Sequence, residues 1–130
     1  VCSSDLVFNP KVIRSTVGSL FHLPILTMGT DDFFAWCDTH ELAVYAADVY
    51  GTDSRQPESL TDVIAAPETL AGAKAVLFGN EARGLTKEVL ERTDRIVSIP
   101  LYGKAESLNL GTSSAVMLLS LAMSSHVERM

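Results

Sequence analysis

Short apolar runs and stretches of helical period alternate along this chain. Asn9-Pro10 opens a stretch in which Val12, Ile13, Val17, Leu20 and Phe21 recur at helical spacing, and Pro24 ends it. Pro24–Thr27 then reads as a short strand. Asp31 and Asp32 suit a helix N-terminus, and Phe33, Phe34, Trp36 and Cys37 follow in a short helix that ends near His40. Leu42–Ala47 is a continuous apolar run, the pattern of a buried strand. Residues 48–61 are polar and carry Gly51, Ser54 and Pro57, so they read as a loop, with a helical turn over Leu60–Ile64. Ala73–Phe78 is the clearest strand and runs directly into Gly79. Thr86 can cap a helix over Lys87–Arg92, and Arg95–Ile99 is the next strand. Asn109 to Val127 forms a long helix whose apolar face is read as Leu110, Val116, Leu119 and Met123. Strands alternating with helices imply an α/β domain with a mostly parallel sheet and flanking helices.

Composition adds limits rather than a function. A chain of 130 residues, 47% hydrophobic, has room for one domain with a real core. The net charge is −6 and the isoelectric point about 4.9, so bulk charge does not attract RNA and any such contact needs a local basic patch. Lys11, Arg14, Arg83, Lys87, Arg92, Arg95 and Lys104 could supply one. Cys2 and Cys37 lack metal-ligand spacing and read as reduced thiols of a cytoplasmic protein. No apolar run is long enough to span a membrane, and no charged-then-apolar export-signal pattern is read, so neither a membrane span nor export is expected. His22, His40 and His126 have no partners at metal or triad spacing, so no metal is expected, and Met28, Met117 and Met123 read as core fillers.

Two stretches carry candidate chemistry. Gly79-Asn80-Glu81-Ala82-Arg83-Gly84-Leu85 follows a strand, and its glycines allow tight turns and close backbone approach. It can hold a ligand through backbone groups or serve as a plain strand-to-helix turn. Glu81 can hydrogen-bond a ligand or sit in solvent near the next helix N-terminus. Ile99-Pro100-Leu101 ends the later strand, Gly103 permits a sharp bend, and Ser107-Leu108-Asn109 leads into the last helix. Ser107 or Asn109 can cap that helix and also line a site. Loops at the C-terminal ends of parallel strands are where open α/β sheets bind ligands.

Taken together, the phrases Leu77-Phe78-Gly79-Asn80-Glu81-Ala82-Arg83-Gly84-Leu85 and Ile99-Pro100-Leu101 with Ser107-Leu108-Asn109 resemble motifs 2 and 3 of the SpoU/TrmH family of knotted RNA methyltransferases, in the SPOUT superfamily. The likeness extends over about residues 7–128. It implies an α/β trefoil knot, a topology no periodicity could suggest. It implies S-adenosyl-L-methionine as cofactor and methyl transfer to a ribose 2′-hydroxyl of rRNA or tRNA. Carried over by position, Gly79, Ile99, Leu101 and Leu108 line the cofactor, with Thr27 at the end of an earlier strand as a further candidate. Glu81, Ser107 and Asn109 match the polar residues of the catalytic pocket. The family also implies a homodimer that uses the last helix.

The family's motif 1, an asparagine followed six residues later by the arginine proposed to help remove the hydroxyl proton, has no counterpart here. Asn9 and Arg14 are differently spaced and lie in the later helix, so Arg14 is not assigned a catalytic role. Val1–Leu6 reads as a non-native leader, matching the translation of a common sequencing-adapter end, which leaves 7–130 as a methyltransferase domain truncated at its N-terminus. The expectation is a fragment of an RNA 2′-O-methyltransferase, with the activity of the fragment itself left open. The alternative is a non-catalytic knotted module that binds cofactor or RNA.

Overall fold

The computed structural model of the protein describes residues 22–66, 71–80, 84–104 and 108–126. The expected helix over Asn9–Phe21, the leader Val1–Leu6, Glu81 and Ser107 lie outside them. The chain divides into two compact units, Val1–Trp36 and Cys37–Met130.

In the first unit the described residues begin with an exposed segment, 22–29, that joins no ladder. The strand expected over Pro24–Thr27 is therefore absent from the described residues. β propensity alone does not make a strand where no neighbour supplies hydrogen bonds. Helix α1, Thr30–Thr39, starts as predicted with Asp31 and Asp32 in its first turn and runs across the unit boundary. Phe33 and Phe34 meet edge to face, with ring centroids 5.4 Å apart. Met28, expected in the core, is 39% exposed.

The second unit is a parallel sheet with helices on both faces. Its strands are β1 (Ala43–Ala47), β2 (Glu58–Ser59), β3 (Lys74–Phe78) and β4 (Arg95–Ser98), in the order β2-β4-β1-β3. All pairs are parallel. Tyr45 stands opposite Val76 on one side and Arg95 on the other, so β1 is the central strand. A turn at its start is closed by Glu41 in the left-handed region (φ 56°) and a Leu42 N–H to Cys37 carbonyl bond of 2.9 Å. Two-residue β2 falls inside the expected loop; a strand that short carries no alternation to read.

Helices α2 (Leu60–Ala65) and α4 (Leu110–His126) cover one face, and α3 (Lys87–Arg92) covers the other. The larger core joins Tyr45, Leu60, Val63, Val97, Met117 and Leu121, with Val76, Phe78 and Ile99 packed against it. Opposite it, Ala46, Ile96 and Leu90 form a second cluster. Alternate residues of β1 thus feed opposite faces, as a pleated strand requires. Thr86 caps α3 as expected, its side chain accepting from the Val89 N–H.

The face of α4 differs from the expected one. Met117 and Leu121 are buried and Val116 packs partly against the core, but Leu119 is 60% and Met123 64% exposed. The inward stripe also takes in the half-buried Ser113, Ser114 and Ser124. This helix is apolar on nearly every side, so periodicity could not choose among its faces.

Burial raises the Tyr45 phenol and the Cys37 thiol above their ordinary pKa values, helped at Cys37 by the nearby Asp38 and Asp94 carboxylates. The folded chain therefore keeps these protons at pH values where the unfolded chain has released them. Their contribution to stability is complete below the unfolded-state pKa values and is lost as pH rises through the folded ones. Urea midpoints should fall from about pH 9 upward. Tyr45→Phe should make the fall shallower, and an unchanged slope would count against this account.

Candidate functional site

The C-terminal ends of β1, β3 and β4 lie side by side because the three strands are parallel and β1 pairs with both others. The chain leaving each end lines one cavity of about 700 Å³. That size is typical of small-molecule sites. After β3 come Gly79, Asn80, Gly84 and Leu85; after β4 come Ile99 and Leu101; and Leu108 and Asn109 lead into α4. Five of the residues singled out in the sequence therefore meet here: Gly79, Ile99, Leu101, Leu108 and Asn109.

Backbone geometry explains why glycines stand in the turn after β3. The Gly84 N–H donates to the Asn80 carbonyl at 2.9 Å, and Gly84 takes a left-handed φ of 64°. The turn folds back so closely that a Cβ on Gly79 would strike the Gly84 backbone and lie 2.6 Å from the Leu85 nitrogen. Backbone cannot move aside as a flexible side chain can. At Gly79 the turn itself demands glycine.

Asn109 combines both roles read for it. Its Oδ1 accepts the Thr112 N–H at 2.8 Å and its carbonyl accepts the Ser113 N–H at 2.9 Å, so it caps α4 while lining the cavity. An apolar wall is supplied by Val97, Ile99, Leu101, Leu108, Leu110 and Met117. Thr27 is exposed, lies outside any strand and belongs to the other unit.

The loop after β1 was missed as part of the site. Asp48, Val49, Tyr50 and Gly51 line the cavity, although the sequence marks residues 48–61 only as a polar, turn-rich loop. The Asp48 N–H donates to the Val97 carbonyl, and its Oδ2 accepts the Tyr50 N–H at 3.1 Å and the Gly51 N–H at 2.7 Å. An aspartate that receives backbone N–H groups two and three residues on is a turn former. That role was the available signal.

Arg55 fixes the far end of the same loop. Its Nη1 donates to the carbonyls of Leu90 (2.7 Å) and Thr93 (2.8 Å), and its Nη2 to that of Asp94 (3.1 Å). These acceptors are at and just beyond the C-terminus of α3, where cations are favoured. Ser54 donates to Glu91 at 3.0 Å. Hydrogen bonds from Thr52 and Ser54 hold the Glu91 carboxyl below its ordinary pKa. Gly51, at φ 67°, leaves no space for a side chain beside the Arg55 carbonyl and Pro57.

The sequence model of the SpoU rRNA Methylase family matches residues 2–119. The chain belongs to this family. Two curated relatives are similar along most of it. A 23S rRNA (guanosine(2553)-2'-O)-methyltransferase of Bacillus subtilis is 32% identical over 111 residues, covering 85% of this chain and 41% of the relative. A 23S rRNA (uridine(2479)-2'-O)-methyltransferase of Streptomyces viridochromogenes is 32% identical over 113 residues, covering 86% of this chain and 38% of the relative. Among solved structures, an AdoMet-bound rRNA methyltransferase from Sinorhizobium meliloti superposes with a TM-score of 0.75 at 29% identity, over 90% of this chain and 41% of that one. The chain thus spans about two fifths of the length of these SpoU relatives. Among the described residues no His/Cys/Asp/Glu group is arranged to hold a metal, and no helix is long and apolar enough to cross a membrane.

Gly79→Ala tests the close approach that shapes this wall of the cavity. It should lower the unfolding free energy by about 2 kcal/mol, a usual cost of forcing a methyl group into filled space. Urea denaturation checks this; an alanine variant as stable as the parent would contradict the packing described.

Proposed function

We propose that this chain is the cofactor-binding part of an S-adenosylmethionine-dependent RNA ribose 2′-O-methyltransferase, acting on rRNA or tRNA in the cytoplasm. One observation carries the reading: the motif residues Gly79, Ile99, Leu101, Leu108 and Asn109 converge on one cavity at the ends of parallel strands. The cavity fits the cofactor in chemistry as well as size. Ile99, Leu101, Leu108 and Met117 offer apolar surface for a purine, while Asp48, Asn109 and the turn backbones offer polar contacts. S-adenosylmethionine, when bound, supplies an activated methyl group.

The chain's own part is to bind, orient and exclude water. The turn over Gly79–Leu85 and the segments around Ile99 and Leu108 would hold the cofactor in a fixed pose. A ribose 2′-oxygen must then lie in line with the methyl group, and that alignment is the largest service a protein can give this reaction. By their positions in the family motifs, Glu81 and Ser107 share with Asn109 the polar roles of the methyl-transfer site. Tyr102 and Lys104, exposed beside Leu101, suit a strand of RNA: the ring can stack on a base and the ammonium can meet phosphate. The family's trefoil knot is part of the same reading, as is the homodimer. Leu118, Leu119 and Met123 present an exposed apolar face on α4, which a second copy of the chain would cover.

Isothermal titration of S-adenosylmethionine into the chain tests the cofactor assignment. Saturable binding with one site per chain is expected; a folded chain that takes up no cofactor would refute it. Sedimentation tests the dimer. The parent should sediment as a dimer and Leu119→Glu as a folded monomer, whereas a parent that stays monomeric at high concentration would remove α4 as an interface.

A further inference from the structure

Asp48 is the one carboxylate among the described residues of the cavity wall, and only half of it is engaged. Oδ2 takes both backbone N–H groups of the turn. Oδ1 receives no hydrogen bond from the described residues and is directed toward Gly84, where a Cβ would stand 3.6 Å from it. The side chain cannot easily turn away, because Oδ2 is fixed by the Tyr50 and Gly51 amides and the Asp48 N–H is tied to Val97. The loop is held at its other end by the three-carbonyl fork of Arg55. A carboxylate oxygen on a half-buried side chain, oriented in advance and with no donor among the described residues, is a recognition element waiting for a donor from a ligand.

We infer that Asp48 Oδ1 accepts a hydrogen bond from the bound cofactor, making Asp48 a residue that selects for the adenosyl cofactor. This rests on the cofactor reading above and extends it to a residue outside both recognised motifs. S-adenosylmethionine offers donors that a carboxylate oxygen could meet on two parts of the molecule: the adenosine, through its ribose hydroxyls and adenine amino group, and the amino-acid ammonium. All satisfy the same chemistry, and a ligand that keeps the adenosine but lacks the ammonium tells the two parts apart.

The decisive variant is Asp48→Asn. The amide oxygen can still accept the Tyr50 and Gly51 N–H groups, so the turn is kept, but an NH₂ donor replaces the acceptor on the cavity side. The probes are S-adenosylhomocysteine, whose neutral sulfur removes the sulfonium charge, and 5′-methylthioadenosine, which keeps the ribose but lacks the ammonium. By titration calorimetry Asp48→Asn should bind S-adenosylhomocysteine about tenfold more weakly than the parent, the usual range for a lost charge-assisted hydrogen bond. A matching loss with 5′-methylthioadenosine assigns the donor to the adenosine part; a loss confined to S-adenosylhomocysteine assigns it to the ammonium. Either result supports the proposal. A folded variant that binds both probes as tightly as the parent overturns it while leaving the cofactor reading intact. A parent that binds neither probe overturns both. Should the variant fail to fold, the parent still decides: the Asp48 side-chain carboxyl resonance must shift when S-adenosylhomocysteine saturates the site, and an unmoved resonance overturns the proposal.

Discussion

Parallel pairing of β1 with both β3 and β4 is the constraint from which the site follows. A parallel partner must run in the same direction, so three strand ends open on one edge of the sheet, and each strand needs a long connection back. Those connections supply α2 on one face and α3 on the other, and α4, which follows β4, completes the cover of the first. The arrangement also brings together segments far apart in the chain: Val44 donates to the Asp94 carboxylate at 2.7 Å, and Asp94 returns its N–H to the Val44 carbonyl at 2.9 Å. That reciprocal pair stands just below the start of β4 and helps set the register in which Ala47 meets Val97.

Loops leaving such an edge would be free to wander without local restraint. Here each is held by a different device. Backbone contact packs the turn after β3 against itself at Gly79 and Gly84. Side-chain capping shapes the approach to α4 through Asn109. A guanidinium bound to three carbonyls secures the loop after β1. Ordering these segments during folding spares a ligand some of the entropy cost of ordering them on binding.

The hydrophobic pattern made the sheet legible. Strands β1, β3 and β4 fall where apolar runs stand, because buried parallel strands need such runs, and Thr86 announced α3 through its capping chemistry. Three features were hidden for physical reasons. Pro24–Thr27 has the composition of a strand, but pairing is a property of neighbours. The inward face of α4 includes serines, while Leu119 and Met123 look outward, so side-chain polarity misreports its orientation. The third is the contribution of Asp48–Gly51 to the site, which depends on tertiary placement at the end of β1. The recognised motifs, in contrast, could be read because Gly79, Gly84 and Asn109 are each suited to a local backbone geometry. Their convergence on one cavity needed the fold.

The order of the strands also governs how this protein can be built. The sheet's centre is made before both of its partners: β1 ends at Ala47, its first neighbour ends at Phe78 and its second at Ser98. During synthesis β1 must therefore leave the ribosome before either neighbour and wait until both have followed. Contacts that span so much sequence fold slowly, because loop closure is costly before any pairing repays it. The arrangement that gathers the strand ends into one site thus exposes a nascent apolar strand, making the interval between Ala47 and Ser98 the period when this chain most needs protection from aggregation.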